Sequence, residues 1–588
     1  MLQNYRVITD QTLPRSTQCS AGWGAALVGF AIFGLLSFVS IAHRQVYLPN
    51  KFDIPALADG LLLAHGAHWQ DWFTRGYTHF WDAYPEWPEG ETGFMSPAFQ
   101  FVIYLMHFAL GRDWASYQVI SCLAAAGMAA VTFLIARAAL GLRTGPSLLA
   151  VSLVVLSPPF LQTWLMGLSN AHDPLATVFV AGAFLAAVAR RDFLCLMLLC
   201  LAVLTKENAV CAPFAAAITI MLRPKPDEPL GRQGLVAATM LLPVAMWLGL
   251  RFAFFGGIGG TYATTGYTPL ADFLELTFHK LTRPDALLLT QDNFVTEGSL
   301  ALLDRPIRIA TRLLIYALLF LLMLRILPEM VTRLRYAMYE RRLPTVDSTF
   351  LVVLWAGIAL AFYFVIPLQA ERYATSVVVF AWPALVAEVE RRRKAIIWLT
   401  LAVCGVMSLT RSLHDTEWIA GPFLRERFGA MTAALRQLPM TTRQVYVLSA
   451  GSLQGSNPEY LRLVLGVSAE IVRVVDIDWQ CDQLNDLVVF DHSVTDGAVN
   501  LTVTLPACAE FDFFDSHVKE NAFANGRLYR NDSISYELPD AYPIINPKMW
   551  EPSLYLGRKM TVHIRPNGPA RFIIAHGRPG GIAWFDTP

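Results

Sequence analysis

Residues 96–111 read SPAFQFVIYLMHFALG, an apolar stretch that ends where the polar run Gly111-Arg112-Asp113 begins. A helix needs about 20 apolar residues to cross the roughly 30 Å hydrocarbon core of a bilayer, and this stretch offers about 16. It could cross only if tilted, and it fits a helix lying in the membrane interface better. The choice determines the membrane topology, because it fixes the side of the membrane on which every later loop lies.

The composition is typical of a polytopic α-helical membrane protein. The chain has 588 residues, of which 55% are hydrophobic and 16% are charged, whereas about a quarter of the residues in a soluble protein are charged. Apolar runs of about 20 residues recur through the first 410 positions, which predicts membrane spans. Lysine plus arginine and aspartate plus glutamate both number 46, so the net charge does not favour a nucleic-acid partner. The first 20 residues lack a hydrophobic core, which predicts that there is no cleavable signal peptide.

Positive charge at the ends of the spans selects the topology. A first span is readable at about 22–42, and ten more follow, at about 115–138, 145–163, 172–189, 193–205, 209–222, 234–255, 308–327, 348–367, 374–390 and 395–411. The basic connectors include Arg137 and Arg143, Arg190-Arg191, Arg223 to Arg232, Arg333 to Arg342, and Arg391 to Lys394. If 96–111 does not cross, all of them fall on the side of the N-terminus, as the positive-inside rule requires. This predicts about 11 transmembrane helices, interfacial helices in the first outer loop, and a cytoplasmic N-terminus at 1–21.

The chain then divides into a transmembrane part and a C-terminal domain. The transmembrane part occupies 22–411, with outer loops at 43–113 and 257–306. From about His414 short apolar runs alternate with Gly, Pro, Asn and Asp, which are strand and turn signals; the runs are 444–448, 471–475, 487–490, 501–505 and 571–575. We therefore expect 412–588 to form an extracytoplasmic mixed α/β domain. Outside the cytoplasm, Cys481 and Cys508 are expected to form a disulfide.

The pair Lys206-Glu207 lies between two short apolar runs, at about 193–205 and 209–222. Ionisable groups at membrane depth are costly and usually functional. Because neither run alone spans the bilayer comfortably, we expect a broken or short helix pair with both charges at its outer tip. A lysine recessed there would suit a phosphate group, as a compact point charge. The alternative is an ordinary helical hairpin whose tip carries charge for solubility.

Two further charged positions border spans on the predicted outer side. Asp173 follows a break in the apolar pattern, and the alternative to a site role is that it caps the next helix, with Pro174 at the first helical position. Arg372 precedes Tyr373 between two later spans, where its guanidinium could hold a lipid phosphate bidentately. It could equally pair with Glu371.

The first outer loop is long, acidic and aromatic over Tyr47–Phe101. Inverting sugar transfer needs one general base to take the proton of the acceptor hydroxyl, and a phosphate leaving group needs positive charge rather than an acid. Asp53, eleven residues beyond the first span, is the candidate base. The alternative acids in the same loop are Asp59, Asp82 and Glu91.

His65, His68 and His79 raise the question of a metal site in this loop. His65 and His68 have a spacing that suits one face of a helix, but no third close ligand is evident. We therefore expect no metal site, and a divalent metal is the only cofactor left open.

These residues, in this order, resemble the GT-C superfamily of membrane glycosyltransferases, and within it the protein O-mannosyltransferase and aminoarabinose-transferase branch. The resemblance covers roughly 22–411. Its motifs here are Phe52-Asp53, Ser96-Pro97-Ala98-Phe99, Leu168 to Ala176, Leu204-Thr205-Lys206-Glu207 and Arg372-Tyr373. There are departures: Asp53 is followed by Ile54 rather than a second acid, Ala171-His172 stands where the family has an arginine, and no tetratricopeptide repeats follow.

The resemblance implies a GT-C-like fold and a hexosyl- or pentosyltransferase of a bacterial cytoplasmic (inner) membrane, with its C-terminal domain in the periplasm. Such an enzyme moves a sugar, with inversion, from a polyprenyl-phosphate donor to a glycan, lipid or protein acceptor. It implies Asp53 as the catalytic base and Asp173 as a residue that shapes the site. Substrate or lipid-phosphate contacts are implied for Lys206, Glu207, Arg372 and Tyr373, and the second outer loop would close over donor or acceptor through His279, Lys280 and Arg283.

Two other functions remain open at this point. An oligosaccharyltransferase or polysaccharide ligase would share the scaffold but use a diphosphate-linked donor, and its chemistry would commonly need more carboxylates around a divalent metal. A transporter of lipid-linked sugars would be expected to show internal repeats and charges deep within paired spans. The sequence shows no such repeat, and its charged sites cluster at one predicted face.

Overall fold

The structure is a computed structural model. Its helices lie between Arg15 and Arg392 and are formed by apolar segments. It describes residues 15–42, 96–110, 114–157, 171–225, 228–255, 346–365, 374–392, 433–450, 467–477, 489–504, 511–513, 527–531, 533–537, 542–543, 555–557, 559–575 and 582–588, with isolated positions at 159–163 and 313–331. We number its helices α1 Arg15–Ala42, α2 Pro97–Leu110, α3 Trp114–Leu134, α4 Thr144–Val155, α5 His172–Val188, α6 Asp192–Thr205, α7 Ala212–Leu222, α8 Leu230–Thr239, α9 Leu242–Phe255, α10 Ser348–Val365 and α11 Thr375–Arg392.

Apolar side chains face outward on these helices. On α1, Trp23, Phe30 and Phe38 are 73%, 76% and 69% exposed, and a continuous apolar face of this kind is expected where a helix meets lipid. Within the described residues three helical stretches are long and apolar enough to cross a membrane, namely Ser20–Phe38, Val119–Ala139 and Leu230–Phe254, and shorter apolar helices accompany them. The architecture is therefore α-helical and membrane-protein-like, and the predicted number of spans stays a prediction.

An aromatic cluster in the interior of the bundle joins four helices. The rings of Phe184 on α5, Trp355 on α10 and Phe380 on α11 lie with centroids 5.3 to 5.6 Å apart. The Trp355 indole N–H donates to Thr219 Oγ1 on α7 at 2.8 Å, so its one polar atom is satisfied where the ring is buried. The large rings thus fill the space between helices without leaving a buried donor unpaired.

Charged groups lie at opposite ends of the α5–α6 hairpin. At one end, Arg190 Nη2 contacts Glu228 Oε2 at 2.7 Å and Lys225 Nζ contacts Asp192 Oδ2 at 2.6 Å. Lys206 lies at the other end, where α6 stops. Because α5 has 17 residues at 1.5 Å each, the two ends are about 25 Å apart. The basic connector and Lys206 therefore lie at opposite ends of the hairpin.

The described C-terminal residues form three sheets. Their strands are β1 Gln444–Ala450, β2 Glu470–Ile477, β3 Val489–Thr495, β4 Ala498–Thr504, β5 Phe511–Phe513, β6 Arg527–Asn531, β7 Ile534–Glu537, β8 Tyr542–Pro543, β9 Tyr555–Gly557, β10 Lys559–Ile564, β11 Ala570–Ala575 and β12 Ile582–Thr587. The strand orders are β12-β11-β1-β2, β3-β4-β10-β7-β6 and β5-β9-β8. In the first sheet β1 runs parallel to both β11 and β2, whereas β12 is antiparallel to β11.

Local sequence explains several features of these sheets. Asp496 and Gly497 form the two-residue turn between β3 and β4 with φ of 49° and 74°, which is the backbone that Asp-Gly favours in a tight hairpin. Along β4, Val499, Leu501 and Val503 are buried and their neighbours are not, so one face of the sheet packs inward. The Tyr536 hydroxyl donates to the Val474 carbonyl at 2.9 Å and so links the second sheet to the first.

Most predicted helices and strands are present at the expected place in the chain, but several begin or end at other residues than predicted. The helix predicted over 96–111 is present as α2, and the strands predicted at 444–448, 471–475 and 571–575 are present as β1, β2 and β11. The strands predicted at 487–490 and 501–505 are displaced by a few residues from β3 and β4. The span predicted at 395–411 and the disulfide predicted between Cys481 and Cys508 lie outside the described residues.

Candidate functional site

Lys206 occupies a single extended residue between two helical segments. The α6 helix ends at Thr205, Lys206 has φ −154° and ψ 130°, and a 3₁₀ turn follows over Glu207–Cys211. The α7 helix then begins at Ala212 with Pro213 in its first turn, where a missing backbone N–H costs nothing. The break predicted at Lys206-Glu207 is therefore present, and it puts a lysine at the helix end rather than on a helix face.

Asp173 lies in the first turn of α5 and does not cap it. The helix begins at His172, and its N-cap residue is Ala171, which makes no side-chain capping bond. The capping alternative, with Pro174 as the first helical residue, is therefore wrong by two positions. A carboxylate in this turn is favoured by the helix dipole, and its Oδ1 atom faces Lys206 and Asn208 of another segment.

His172, Asp173 and Lys206 form a compact polar cluster. Lys206 Nζ is within hydrogen-bond distance of His172 Nε2 and 4.0 Å from Asp173 Oδ1. The second carboxylate oxygen, Oδ2, is 3.6 Å from His172 Nε2, and Asn208 Nδ2 donates to Oδ1 at 3.5 Å. The Lys206 and Asp173 side chains are 10% and 0% exposed, so their attraction is much less screened than at a surface.

The distance between Lys206 and Asp173 bears on what the lysine can do. A charge-assisted hydrogen bond between an ammonium and a carboxylate is about 2.7–2.9 Å long, so at 4.0 Å Asp173 acts as a counter-charge and not as a tight ligand. The pair can persist in a low-dielectric setting because the charges compensate each other. An anionic group that approached the ammonium would find a lysine already desolvated and fixed in place.

A second ion pair, between Arg251 and Glu207, holds the 3₁₀ turn. Arg251 on α9 donates from Nη1 to Glu207 Oε2 at 3.0 Å, and the arginine side chain is fully buried whereas that of Glu207 is 26% exposed. The Arg251 guanidinium carbon also lies 5.5 Å from the centre of the Trp247 ring, within the range of a cation–π contact. The residue after Lys206 is thus tied to a neighbouring helix.

The α2 helix brings its buried face to this cluster. Ser96, Phe99, Gln100 and Ile103 are all buried, at spacings that share one side of a helix. The Phe99 ring meets the His172 ring edge-on, with centroids 5.4 Å apart and planes at 64°. The segment that the sequence assigns to the membrane interface therefore contacts the residue beside Lys206.

The first residues of α11 also reach this end of the bundle. Thr177 Oγ1 on α5 lies 2.8 Å from Thr375 Oγ1 and 3.1 Å from Ser376 Oγ on α11. Thr177 is little more than one helical turn from His172 and Asp173. The segment that begins α11 is therefore adjacent to the cluster.

Of the predicted site residues, the structure describes Asp173, Lys206 and Glu207, and it brings the first two within 4.0 Å of each other. The others lie outside the described residues: Asp53, Asp59, Asp82, Glu91, His279, Lys280, Arg283, Arg372 and Tyr373. Where side chains are described, no group of three or more His, Cys, Asp or Glu residues could hold a metal ion.

Sequence reasoning missed Arg251, Gln100 and Asn208. Arg251 is an ionisable residue inside an apolar run, so the rule that selected Lys206 would also have selected it. Gln100 is the one amide in an otherwise apolar stretch and could have been noticed in the same way. Asn208 has no such signal, because asparagine is common in turns.

Comparison with known proteins finds matches among solved structures. No protein-family model matches the chain, and no curated protein sequence matches it. Among solved structures, ArnT from Cupriavidus metallidurans bound to undecaprenyl phosphate matches with a TM-score of 0.43 and 14% sequence identity, over 77% of this chain and 86% of that one. With a TM-score below 0.5, we infer neither the fold nor the function of this chain from that match.

Proposed function

We propose that the chain is a membrane glycosyltransferase that moves a sugar from a polyprenyl-phosphate donor to a glycan, lipid or protein acceptor on the extracytoplasmic side. The observation that carries the proposal is Lys206, a buried lysine at a helix break with Asp173 as its counter-charge at 4.0 Å. Such a cation suits the phosphate of a lipid carrier. The motifs in the sequence support the same function.

In this proposal the anomeric carbon of the sugar exchanges one oxygen for another. The bond from that carbon to the phosphate oxygen breaks, and the electron pair leaves with the polyprenyl phosphate, whose charge Lys206 and Arg372 stabilise. The acceptor oxygen forms the new bond from the opposite face, which inverts the configuration. Its proton goes to the carboxylate of Asp53. His279, Lys280 and Arg283 would help to close over donor or acceptor, and Tyr373 and Glu207 would border the phosphate.

The role of Lys206 is tested by lipid binding and by transfer. We expect Lys206→Met to weaken binding of polyprenyl phosphate by about tenfold or more, since a charge-assisted hydrogen bond contributes about 1.5–3 kcal/mol. Lys225→Met is the matched control, because Lys225 is also paired with an aspartate but lies at the far end of the hairpin. Equal lipid affinity in the two variants would remove Lys206 from the phosphate site.

The donor class and the base are tested in one transfer assay. Purified protein is given polyprenyl-phosphate sugars and, in parallel, diphosphate-linked donors. We expect transfer from the monophosphate donors only, and we expect Asp53→Asn to abolish it while lipid binding persists. Transfer from diphosphate donors alone would favour a polysaccharide ligase, and full activity of Asp53→Asn would return Asp59, Asp82 and Glu91 to consideration.

The membrane side is a separate part of the proposal. The end of α11 lies beside the start of α10, since Arg391 donates to Thr349 Oγ1 at 3.2 Å, whereas the start of α11 lies beside Thr177. Arg392 is thus at the end of α11 away from Lys206. We expect Arg392→Cys, in a background without the eight native cysteines, to react with a membrane-impermeant thiol reagent only from the cytoplasmic side. Labelling from outside would reverse the proposed orientation of the site.

A further inference from the structure

Gln100 on α2 has a buried side-chain amide that makes no hydrogen bond. The residue is 2% exposed, and in the part of the chain that the structure describes neither Nε2 nor Oε1 has a partner. Its backbone N–H is satisfied within the helix, donating to the Ser96 carbonyl at 3.0 Å. Buried amides are nearly always hydrogen-bonded, so an amide with both functions unused calls for a specific explanation.

The position of Gln100 relates it to the candidate site. It follows Phe99, whose ring meets His172 at 5.4 Å, and His172 is within hydrogen-bond distance of Lys206. Both Phe99 and Gln100 lie on the buried face of α2. The amide therefore lies on the same helix face as Phe99 and one residue from it, and Phe99 contacts the polar cluster of His172, Asp173 and Lys206.

The chemistry of the amide restricts what could satisfy it. Nε2 donates hydrogen bonds and Oε1 accepts them. An ionised phosphate only accepts, so it could satisfy Nε2 and would leave Oε1 unpaired. Neighbouring sugar hydroxyls both donate and accept, so two hydroxyls of one ring can satisfy both atoms at once.

We propose that Gln100 is a specificity-determining residue that binds hydroxyl groups of the donor sugar through both atoms of its side-chain amide. The inference rests on the proposed function, because in that function the sugar is bonded to the phosphate at Lys206 and must lie beside it. The helix break would then recognise the lipid phosphate, and the interfacial helix α2 would recognise the sugar attached to it.

Gln233 provides a matched control for Gln100. It is also buried, but its Nε2 donates to the carbonyls of Ile220 and Met221 at 2.9 and 2.8 Å. Gln233 thus caps the end of α7 and has a structural use. Replacing it by methionine should lower the thermal stability and leave sugar recognition unchanged, whereas the same replacement at Gln100 should do the opposite.

The test compares the affinity of the purified full chain for bare polyprenyl phosphate with that for polyprenyl phosphate carrying each of several hexoses. We expect Gln100→Met to bind the bare lipid within about twofold of wild type and to unfold at the same or a higher temperature, because it removes unsatisfied atoms. The gain in affinity that the preferred sugar contributes should fall by roughly tenfold or more. Gln100→Glu, which keeps the shape and loses the donor, should change the order of preference among the hexoses.

The outcomes separate this inference from the function on which it rests. If wild type binds neither lipid, the proposed function fails and the inference fails with it. If wild type discriminates among sugars and Gln100→Met keeps the whole gain, the inference alone is wrong. Loss of bare-lipid binding in both Gln100 variants would also overturn it, because Gln100 would then serve the phosphate site or the fold.

Discussion

At the scale of single residues, the buried positive charge of Lys206 is compensated by the carboxylate of Asp173. Removing one partner of a buried ion pair leaves the other charge uncompensated and costs about 3–5 kcal/mol, whereas an exposed pair contributes about 0–1 kcal/mol. Lys206 is 10% exposed, and Lys225, which pairs with Asp192 at the other end of the hairpin, is 43% exposed. The two lysine–aspartate pairs should therefore respond very differently to the same substitution.

We expect Asp173→Asn to lower the unfolding temperature in detergent much more than Asp192→Asn does. The double variant Asp173→Asn/Lys206→Met should recover part of the lost stability, because it also replaces the buried ammonium, which has lost this counter-charge, with an apolar group of similar length. It should not recover lipid binding. Thermal unfolding of the four proteins measures this, and equal destabilisation by the two single variants would contradict it.

At the residue scale, the structure describes those predicted site residues whose charge is conspicuous in the sequence, and their role stays a prediction. Lys206 and Asp173 stand out because each is an ionisable group beside apolar runs, and the structure describes both within one cluster. Asp173 was misjudged as a possible cap because a cap is inferred from residue type and spacing, whereas α5 begins two residues earlier than expected, at His172, whose ring packs against Phe99. The contact of Phe99 with His172 joins segments more than 70 positions apart, and no local pattern encodes such a contact.

At the scale of elements, the 3₁₀ turn Glu207–Cys211 is held by Arg251 from α9. The guanidinium is buried and donates to Glu207 at 3.0 Å, so it fixes the residue that follows Lys206. Because Arg251 contacts Glu207, we expect it to act on the proposed phosphate site as a positioning residue, through the turn that follows Lys206.

We expect Arg251→Met to destabilise the protein by up to about 3 kcal/mol and to weaken binding of bare polyprenyl phosphate several-fold. Arg251→Lys should restore only part of the binding, because a lysine cannot reproduce the planar fork of the guanidinium. The control is Glu207→Leu/Arg251→Met, which removes both charges and should regain stability without regaining affinity. Wild-type affinity in Arg251→Met would show that the turn needs no such support.

Close packing of α1 against α3 gives a second prediction for elements. A Cβ atom placed on Gly24 would lie 2.6 Å from Phe133 Cε1, whereas one placed on Gly22 would meet nothing within 4 Å. Phe133 is itself buried, so its ring has little room to move, and overpacking of this kind typically costs about 1–3 kcal/mol.

Gly24→Ala should therefore lower the unfolding temperature, and Gly22→Ala in the same helix should leave it unchanged or raise it, because alanine favours helix more than glycine does. The double variant Gly24→Ala/Phe133→Leu should recover part of the loss. Thermal unfolding in one detergent measures all three. A neutral Gly24→Ala would mean that the two helices separate at little cost.

At the scale of the whole molecule, the sequence predicted the helical part better than the sheets. Helix positions follow from apolar runs that are local in the chain, as α2 and α10 illustrate. The first sheet places β1 between β2 and β11, and Gln444 pairs with Ala570 across 126 positions. The runs at 444–448 and 571–575 were recognisable as strands, but nothing local to either run indicates that they are parallel neighbours.

Arg571 connects this sheet to the helical turn that precedes β1. It donates to both carboxylate oxygens of Asp586 on β12, at 2.6 and 2.7 Å, and to the Ala434 and Gln437 carbonyls, at 2.7 and 3.0 Å. The arginine is buried and Asp586 is partly exposed. One side chain thus joins β11, β12 and the helical turn that precedes β1, and the carboxylate of Asp586 supplies two of its four acceptor atoms.

The hydrogen bonds from Arg571 hold the pKa of Asp586 below its ordinary value, which is about 4 for an aspartate in an unfolded chain. A carboxyl whose folded pKa is depressed stabilises the fold fully above its unfolded pKa, and that stabilisation is lost as the pH falls through the folded pKa. We therefore expect hydrogen-exchange protection of β11 and β12 in the full chain to be steady from pH 7 to about pH 5 and to decline below about pH 4. Asp586→Asn should be less protected at pH 7 and nearly independent of pH over the same range, while the β3–β4 hairpin, which lies in another sheet, serves as the internal reference. A decline of the same size in Asp586→Asn would show that other carboxyl groups, and not this pair, govern the acid sensitivity of the sheet.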